Sequence, residues 1–161
     1  GGVMNGHEGH VTCLKSIDDG KRVLSCSNDS TIRLWDPLCG KCVKVLKKDD
    51  NNGGGNSGHE GWILSCATTE DGRKAISGGD DKLISVWDIG QGKCMHVKEG
   101  HSHWVSSVDI SPNGNIGLSG SQDGSVRIWN LKRSNEPSIS LAGCRGAVNA
   151  VKLFRWREIP P

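Results

Sequence analysis

Tyrosine is absent from this chain of 161 residues and phenylalanine occurs once, so six tryptophans carry almost all of its aromatic character. Proline is scarce too, five residues against 23 glycines, a balance that suits short β-strands joined by many turns. No apolar run approaches the ~18 residues of a membrane-spanning helix. The formal net charge of +2 is too small to argue for nucleic acid, a membrane surface or a strongly acidic partner. No charged-then-apolar leader opens the chain. It starts Gly1-Gly2 rather than with Met, and its ends are expected to be cut from something longer. Cysteine is not scarce, but its number is odd: Cys13, Cys26, Cys39, Cys42, Cys66, Cys94 and Cys144. Most stand inside apolar strand patterns, where a free thiol behaves as a small hydrophobe. That usage suggests a reducing, intracellular and cytoplasmic setting.

What is present is a repeat. The stretch Ser77 to Asp88 has near-copies at Ser25 to Asp36 and Ser119 to Asn130. In each, an Asp follows the Ser by four residues and a Trp follows the Asp by six. A Gly-His pair stands upstream of each, at Gly6-His7, Gly58-His59 and Gly100-His101, always 28 residues before the Trp. Three copies at one spacing define a repeat architecture. Within the first copy, the alternating runs 11–17, 22–27, 31–36 and 41–47 predict four strands, separated by turns at Asp18-Asp19-Gly20, Asn28-Asp29-Ser30 and Pro37–Gly40. The second copy predicts strands at 62–68, 74–78, 83–87 and 93–98. The third predicts 105–110, 116–120, 125–129 and 137–141, the last opening on Pro137 as an outer edge strand can. A thirteenth strand is read at 147–154. The Gly-rich polar stretch 48–57 reads as a tolerated flexible insertion between copies.

Gly-His, a strand, Ser-x-x-x-Asp, then Trp-Asp on a period of some 40 residues resembles the WD40 repeat. The resemblance runs from about Gly6 to Leu153. It implies an all-β, single WD40 region over 1–161: a β-propeller with three complete four-stranded blades (6–47, 58–99 and 100–142), the first strand of a fourth (143–154), and a non-repeat tail (155–161). Three blades cannot close a ring, since propellers have about 4–8. A longer parent chain, a second copy or another protein would then complete it.

The resemblance also assigns the repeated side chains to buried tetrads: His7, Ser25, Asp29, Trp35; His59, Ser77, Asp81, Trp87; and His101, Ser119, Asp123, Trp129. The chemistry fits. A buried indole N–H needs an acceptor, a Ser hydroxyl can pass a hydrogen bond on, and an imidazole can accept at one nitrogen and donate to a carboxylate at the other. His, Ser and Asp together also invite a hydrolase reading. A nucleophile must be exposed beside an oxyanion site, whereas these Ser lie in strands, recur three times and already serve a Trp. Cys144 stands where the fourth copy should have its His, which breaks the pattern there, and Asn130 replaces the Asp after Trp129.

Other chemistry-bearing residues read as structural. Cys39-Gly-Lys-Cys42 is a lone C-x-x-C without a second pair to complete a zinc site. His96 and His103 read as strand and loop residues. Gly78-Gly79 and Gly53-Gly54-Gly55 lack the Lys-Ser/Thr of a phosphate loop. No metal and no cofactor is expected.

By the same resemblance, one rim is lined by the residues three and five after each His and by the residue before each tetrad Asp: His10, Thr12, Asn28; Trp62, Leu64, Asp80; Trp104, Ser106, Gln122; then Ala147 and Asn149. Trp62 and Trp104 are either contact anchors or packing against the next blade. The implied function is a non-catalytic scaffold for protein or peptide partners, with no nucleic acid, no membrane, and self-association as one way to complete a ring. The alternative is a regulatory or sensor propeller joined to a catalytic domain outside this chain, such as an NTPase or a ubiquitin-ligase receptor.

Overall fold

The computed structural model describes residues 3–48, 58–133, 136–141 and 145–154. Among the described residues, twelve strands form three four-stranded antiparallel sheets. The first sheet is β1 (Val11–Ile17), β2 (Arg22–Ser27), β3 (Ile32–Asp36) and β4 (Lys41–Leu46), side by side in chain order. The second is β5 (Ile63–Thr68), β6 (Lys74–Gly79), β7 (Ile84–Asp88) and β8 (Lys93–Lys98), and the third is β9 (Val105–Ile110), β10 (Ile116–Ser121), β11 (Val126–Asn130) and β12 (Ile139–Leu141). Each sheet is a meander, the topology that tight turns between consecutive strands impose. The described residues contain no helix long and apolar enough to cross a membrane.

The third strand of each sheet starts one residue later than the pattern suggests, and for one reason; β5 also starts one residue later, at Ile63. The amides of Thr31, Leu83 and Ser125 donate to the carboxylates of Asp29, Asp81 and Asp123, at 2.9, 3.1 and 2.8 Å. An amide spent on a turn carboxylate is withdrawn from the ladder. In the same turns Ser30 (φ 65°), Lys82 (φ 69°) and Gly124 (φ 81°) adopt the left-handed conformation, which only the glycine adopts without steric cost. β12 is only three residues long, and Pro137, which cannot donate to the ladder, stands outside it.

The core lies between sheets rather than within one. Period-two alternation sends neighbouring residues of the second sheet to opposite partners. Ala75 and Trp87 pack with Leu24, Cys26, Ile32 and Leu34 of the first sheet. Ile76, Ile84 and Val86 pack with Val105, Val108 and Trp129 of the third. The second sheet is therefore buried on both faces.

Each inner strand carries one bulge. Thr12, Leu64 and Ser106 are the residues skipped in the pairings β1–β2, β5–β6 and β9–β10. A bulge re-aims the extra residue, and two of these three reach beyond their own sheet. Thr12 Oγ1 donates to Ile63 O at 2.5 Å, and Ser106 Oγ donates to Val148 O.

The segment 147–154 extends this stacking by one step. Val105 of β9 covers Gly78, where a Cβ would lie 2.5 Å from its Cγ1, and Val148 covers Gly120 at the same 2.5 Å. Val108 N donates to Ser65 Oγ, and Val151 N donates to Ser107 Oγ one sheet further on. Leu153 N and Lys152 both reach Asp109. The segment thus occupies the place of a fourth inner strand. It joins none of the twelve ladder strands because no second strand of its own sheet is described beside it.

Candidate functional site

Each sheet brings one His, Ser, Asp and Trp together. In the first, Trp35 Nε1 donates to Ser25 Oγ at 2.7 Å, Ser25 Oγ lies 2.6 Å from His7 Nε2, and His7 Nδ1 lies 2.8 Å from Asp29 Oδ2. In the second the corresponding distances are 2.7 Å from Trp87 to Ser77, 2.8 Å from Ser77 to His59 and 2.8 Å from His59 to Asp81. In the third they are 2.8 Å from Trp129 to Ser119, 2.6 Å from Ser119 to His101 and 2.9 Å from His101 to Asp123. One assignment satisfies every group: the indole donates to the hydroxyl, the hydroxyl to Nε2, and Nδ1–H to the carboxylate.

The carboxylates collect further donors. Asp29 and Asp123 accept from the amides of Glu8 and Ser102 and from the hydroxyls of Thr31 and Ser125. Burial opposes their ionisation, but these hydrogen bonds outweigh it and hold both carboxyls below the usual carboxylate range. Asp81 is also lowered: burial opposes it, and the hydrogen bond and charge of His59 prevail. His101 moves down, because burial disfavours its charged form more than Asp123 favours it. The hydroxyl two residues after the Asp, in Thr31 and Ser125, was not singled out in the sequence. Its signal was weak, since the second sheet has Leu83 at that position.

Ser77 and Ser119 are fully enclosed, and Ser25 nearly so. Each hydroxyl has its proton directed at a His and accepts from an indole, and burial keeps Ser77 and Ser119 out of contact with solvent. Cys39 is exposed and Cys42 half-buried, both as free thiols. Among the described residues no group of three or more His, Cys, Asp or Glu has the arrangement of a metal site. Cys144, Gly53 to Gly55 and the tail 155–161 lie outside the described residues.

The rim residues separate into two kinds. His10, Trp62 and Trp104 each stand one residue before an inner strand, and their carbonyls accept from the amides of Asn28, Asp80 and Gln122, all at 2.9 Å. The three sheets therefore present the same pair of positions at the same end. His10 is exposed, and Trp62 and Trp104 expose 51% and 46% of their surface. His103 lies against Trp104 with ring centroids 5.3 Å apart. Thr12 and Ser106, by contrast, spend their hydroxyls on neighbouring carbonyls, and Leu64 fills the same bulge without a hydroxyl. Gln122 Nε2 donates to Asn149 Oδ1 at 3.3 Å, and Asn28 Oδ1 is buried without a partner among the described residues. Ala147 and Asn149 follow on the fourth segment, both exposed.

The far end of the inner strands forms a cleft of about 550 Å³ lined by Asp18, Asp19, Glu70, Asp109 and Lys152 among others. Asp18 is paired with Arg22, and Asp109 with Lys152.

Stacked four-stranded meanders, each closed by a Trp-Ser-His-Asp relay, define a protein built from β-propeller blades. The chain belongs to the WD40 family (WD domain, G-beta repeat), whose model matches residues 2–36, 40–88 and 92–130. The second and third matched units each begin on the outer strand of the preceding sheet, β4 or β8, and end on the third strand of the next. Among curated proteins, the chain is 33% identical over 88 residues to the nuclear distribution protein nudF of Emericella nidulans, covering 54% of this chain and 18% of that one. It is 34% identical over 99 residues to the small ribosomal subunit protein RACK1 of Schizosaccharomyces pombe, covering 58% and 29%. It is 30% identical over 96 residues to the U3 small nucleolar RNA-interacting protein 2 of Mus musculus, covering 59% and 20%. Among solved structures, U3-55K aligns with a TM-score of 0.80 at 28% identity, over 92% of this chain and 44% of that one. The chain spans less than a third of these curated relatives and less than half of that solved chain.

Proposed function

We propose that these blades form a non-catalytic scaffold for protein or peptide partners, with the contact surface on the rim of His10, Asn28, Trp62, Asp80, Trp104 and Gln122. The observation that carries this reading is the repeated half-exposure of Trp62 and Trp104 at equivalent positions. A large rigid aromatic left half in water is the residue type that anchors protein interfaces. The tetrads act as structural staples, each hydrogen bond worth about 0.5–1.5 kcal/mol net. The rim positions include no Lys or Arg, which favours protein over nucleic acid, because phosphate binding rests on basic side chains. Free thiols at all six described cysteines support an intracellular, cytoplasmic setting. A second copy of the chain completing a ring is among the partners this reading admits.

The test compares cross-linked partners of the unaltered chain with those of a Trp62→Ala, Trp104→Ala double variant and of a Leu38→Ser control, Leu38 being exposed on a remote turn. The double variant is expected to lose partners that the control keeps, with unchanged circular dichroism. Retention of the whole partner set by a folded double variant rejects the rim.

A second reading, a regulatory propeller attached to a catalytic domain, draws on the small share of each relative that the chain covers. One relative, the DENN domain and WD repeat-containing protein SCD1 of Arabidopsis thaliana, is covered over only 10% of its length and carries another domain by name. Proteolysis of the full-length parent, followed by an activity assay with and without these blades, separates this reading from the first.

A further inference from the structure

We infer that the rim of the second and third blades is a receptor for a cationic side chain, a Lys or Arg of the partner, with Asp80 as its counter-charge and Trp62 and Trp104 as its aromatic walls. This deepens the rim reading above and rests on it. Asp80 is the single formally charged residue among the eleven rim positions named from the sequence. Its counterparts are neutral: Asn28 in the first blade, and Gln122, which is spent on Asn149, in the third. Its carboxylate has neither a hydrogen-bond nor an ion-pair partner among the described residues. Lys82, two residues on in the same turn, forms no ion pair with it, and Lys48 is taken by Glu60.

The backbone of Asp80 is nevertheless tied to the rim. The Asp80 amide is bonded to Trp62 O at 2.9 Å. Asp80 Oδ1 fills the space over Gly61, where a Cβ would stand 2.0 Å away. Any side chain at position 61 would displace it, so the sequence puts a glycine immediately before Trp62 and an acid in the room it leaves. An unpaired carboxylate on a residue whose backbone is bonded to that of the half-exposed Trp62, with Trp104 at the equivalent position of the next blade, suits a cation: the carboxylate supplies the charge, and an indole face attracts an ammonium or guanidinium through its quadrupole. An aliphatic partner would leave Asp80 unpaired on binding, and an anionic one would meet it repulsively.

The probes are pentapeptides with one central residue flanked by glycines: arginine, its uncharged isostere citrulline, or glutamate. A short oligouridylate serves as a fourth probe. Each is titrated into the 161-residue chain at low salt while the indole N–H signals of Trp62 and Trp104, assigned through Trp62→Phe and Trp104→Phe, are followed by NMR. The arginine peptide is expected to shift both signals and to bind about threefold to tenfold more tightly than the citrulline peptide. Asp80→Asn is expected to abolish that preference, and raised salt to shrink it. Equal shifts with arginine, citrulline and glutamate, no shift with any peptide, or a stronger response to oligouridylate overturns the proposal. Its failure is separable from failure of the rim itself: partners lost by the double Trp variant but kept by Asp80→Asn leave the rim standing and remove the cation.

Discussion

The second blade and its two neighbours share one plan but differ in how much of it is enclosed. The middle sheet is buried on both faces, and every residue of β7 except Asp88 is buried. The first sheet buries one face well and leaves Leu14, Val43 and Val45 largely in water. The third does the same with Ile116, Ile139 and Leu141. The comparison shows where stability comes from in a stacked repeat: a blade is held by what lies on either side of it, so identical motifs are worth different amounts. It also shows how each tetrad is completed. The flanking blades add a hydroxyl from Thr31 or Ser125, whereas the middle blade, with Leu83 there, relies more heavily on its histidine.

Two substitutions test that contrast. Val86→Asp places a charge between the second and third sheets and is expected to cost about 3–5 kcal/mol or prevent folding. Val43→Asp, the equivalent insult on the open face of the first sheet, is expected to cost about 0.5 kcal/mol or less. Urea titration of both variants measures the gap, and equal costs would erase the distinction between middle and flanking blades.

Ser77→Ala removes the central link of the middle relay. It leaves the Trp87 N–H without its acceptor and His59 Nε2 without its donor, an expected cost of about 1–3 kcal/mol. Hydrogen exchange at the Trp87 indole should quicken relative to those of Trp35 and Trp129. A smaller effect than that of Ser77→Ala comes from the left-handed turn position, where the third blade has Gly124 and the second has Lys82. Lys82→Gly is expected to stabilise by up to about 1 kcal/mol, seen as a higher urea midpoint, whereas Gly124→Ala should destabilise.

Much of this was legible from spacing. The three sheets, their strand order and their turns follow from copies that must each solve the same burial problem, whereas the composition of each tetrad was what the resemblance to the WD40 repeat implied. The bulges at Thr12, Leu64 and Ser106 were not legible, because a bulge is a mismatch between two strands and neither strand shows it alone. The hydroxyls of Thr12 and Ser106 therefore looked like rim chemistry when they in fact clip one blade to the next. Trp62 and Trp104 were equally undecided. An aromatic just before a strand can fold inward or stand in water, and only the neighbouring backbone determines which. The role of Gly61 was hidden for a related reason, since nothing local announces that a carboxylate nineteen positions later needs its space.

The seams between repeat units have one more consequence. Gly40 and Gly92 share nearly the same backbone angle, φ 69° and 71°, and their amides bond to Asp36 O and Asp88 O. The strands that follow pair in one register, Trp35 with Cys42 and Asp36 with Lys41, then Trp87 with Cys94 and Asp88 with Lys93. Excision of 40–91 would join Cys39 to Gly92 and lay Lys93–Lys98 against the first sheet in the place of Lys41–Leu46, with the ladder intact. A gene of this kind can gain or lose whole blades by unequal crossing-over at its glycine seams, because the cut never falls on a sheet that cannot be resealed.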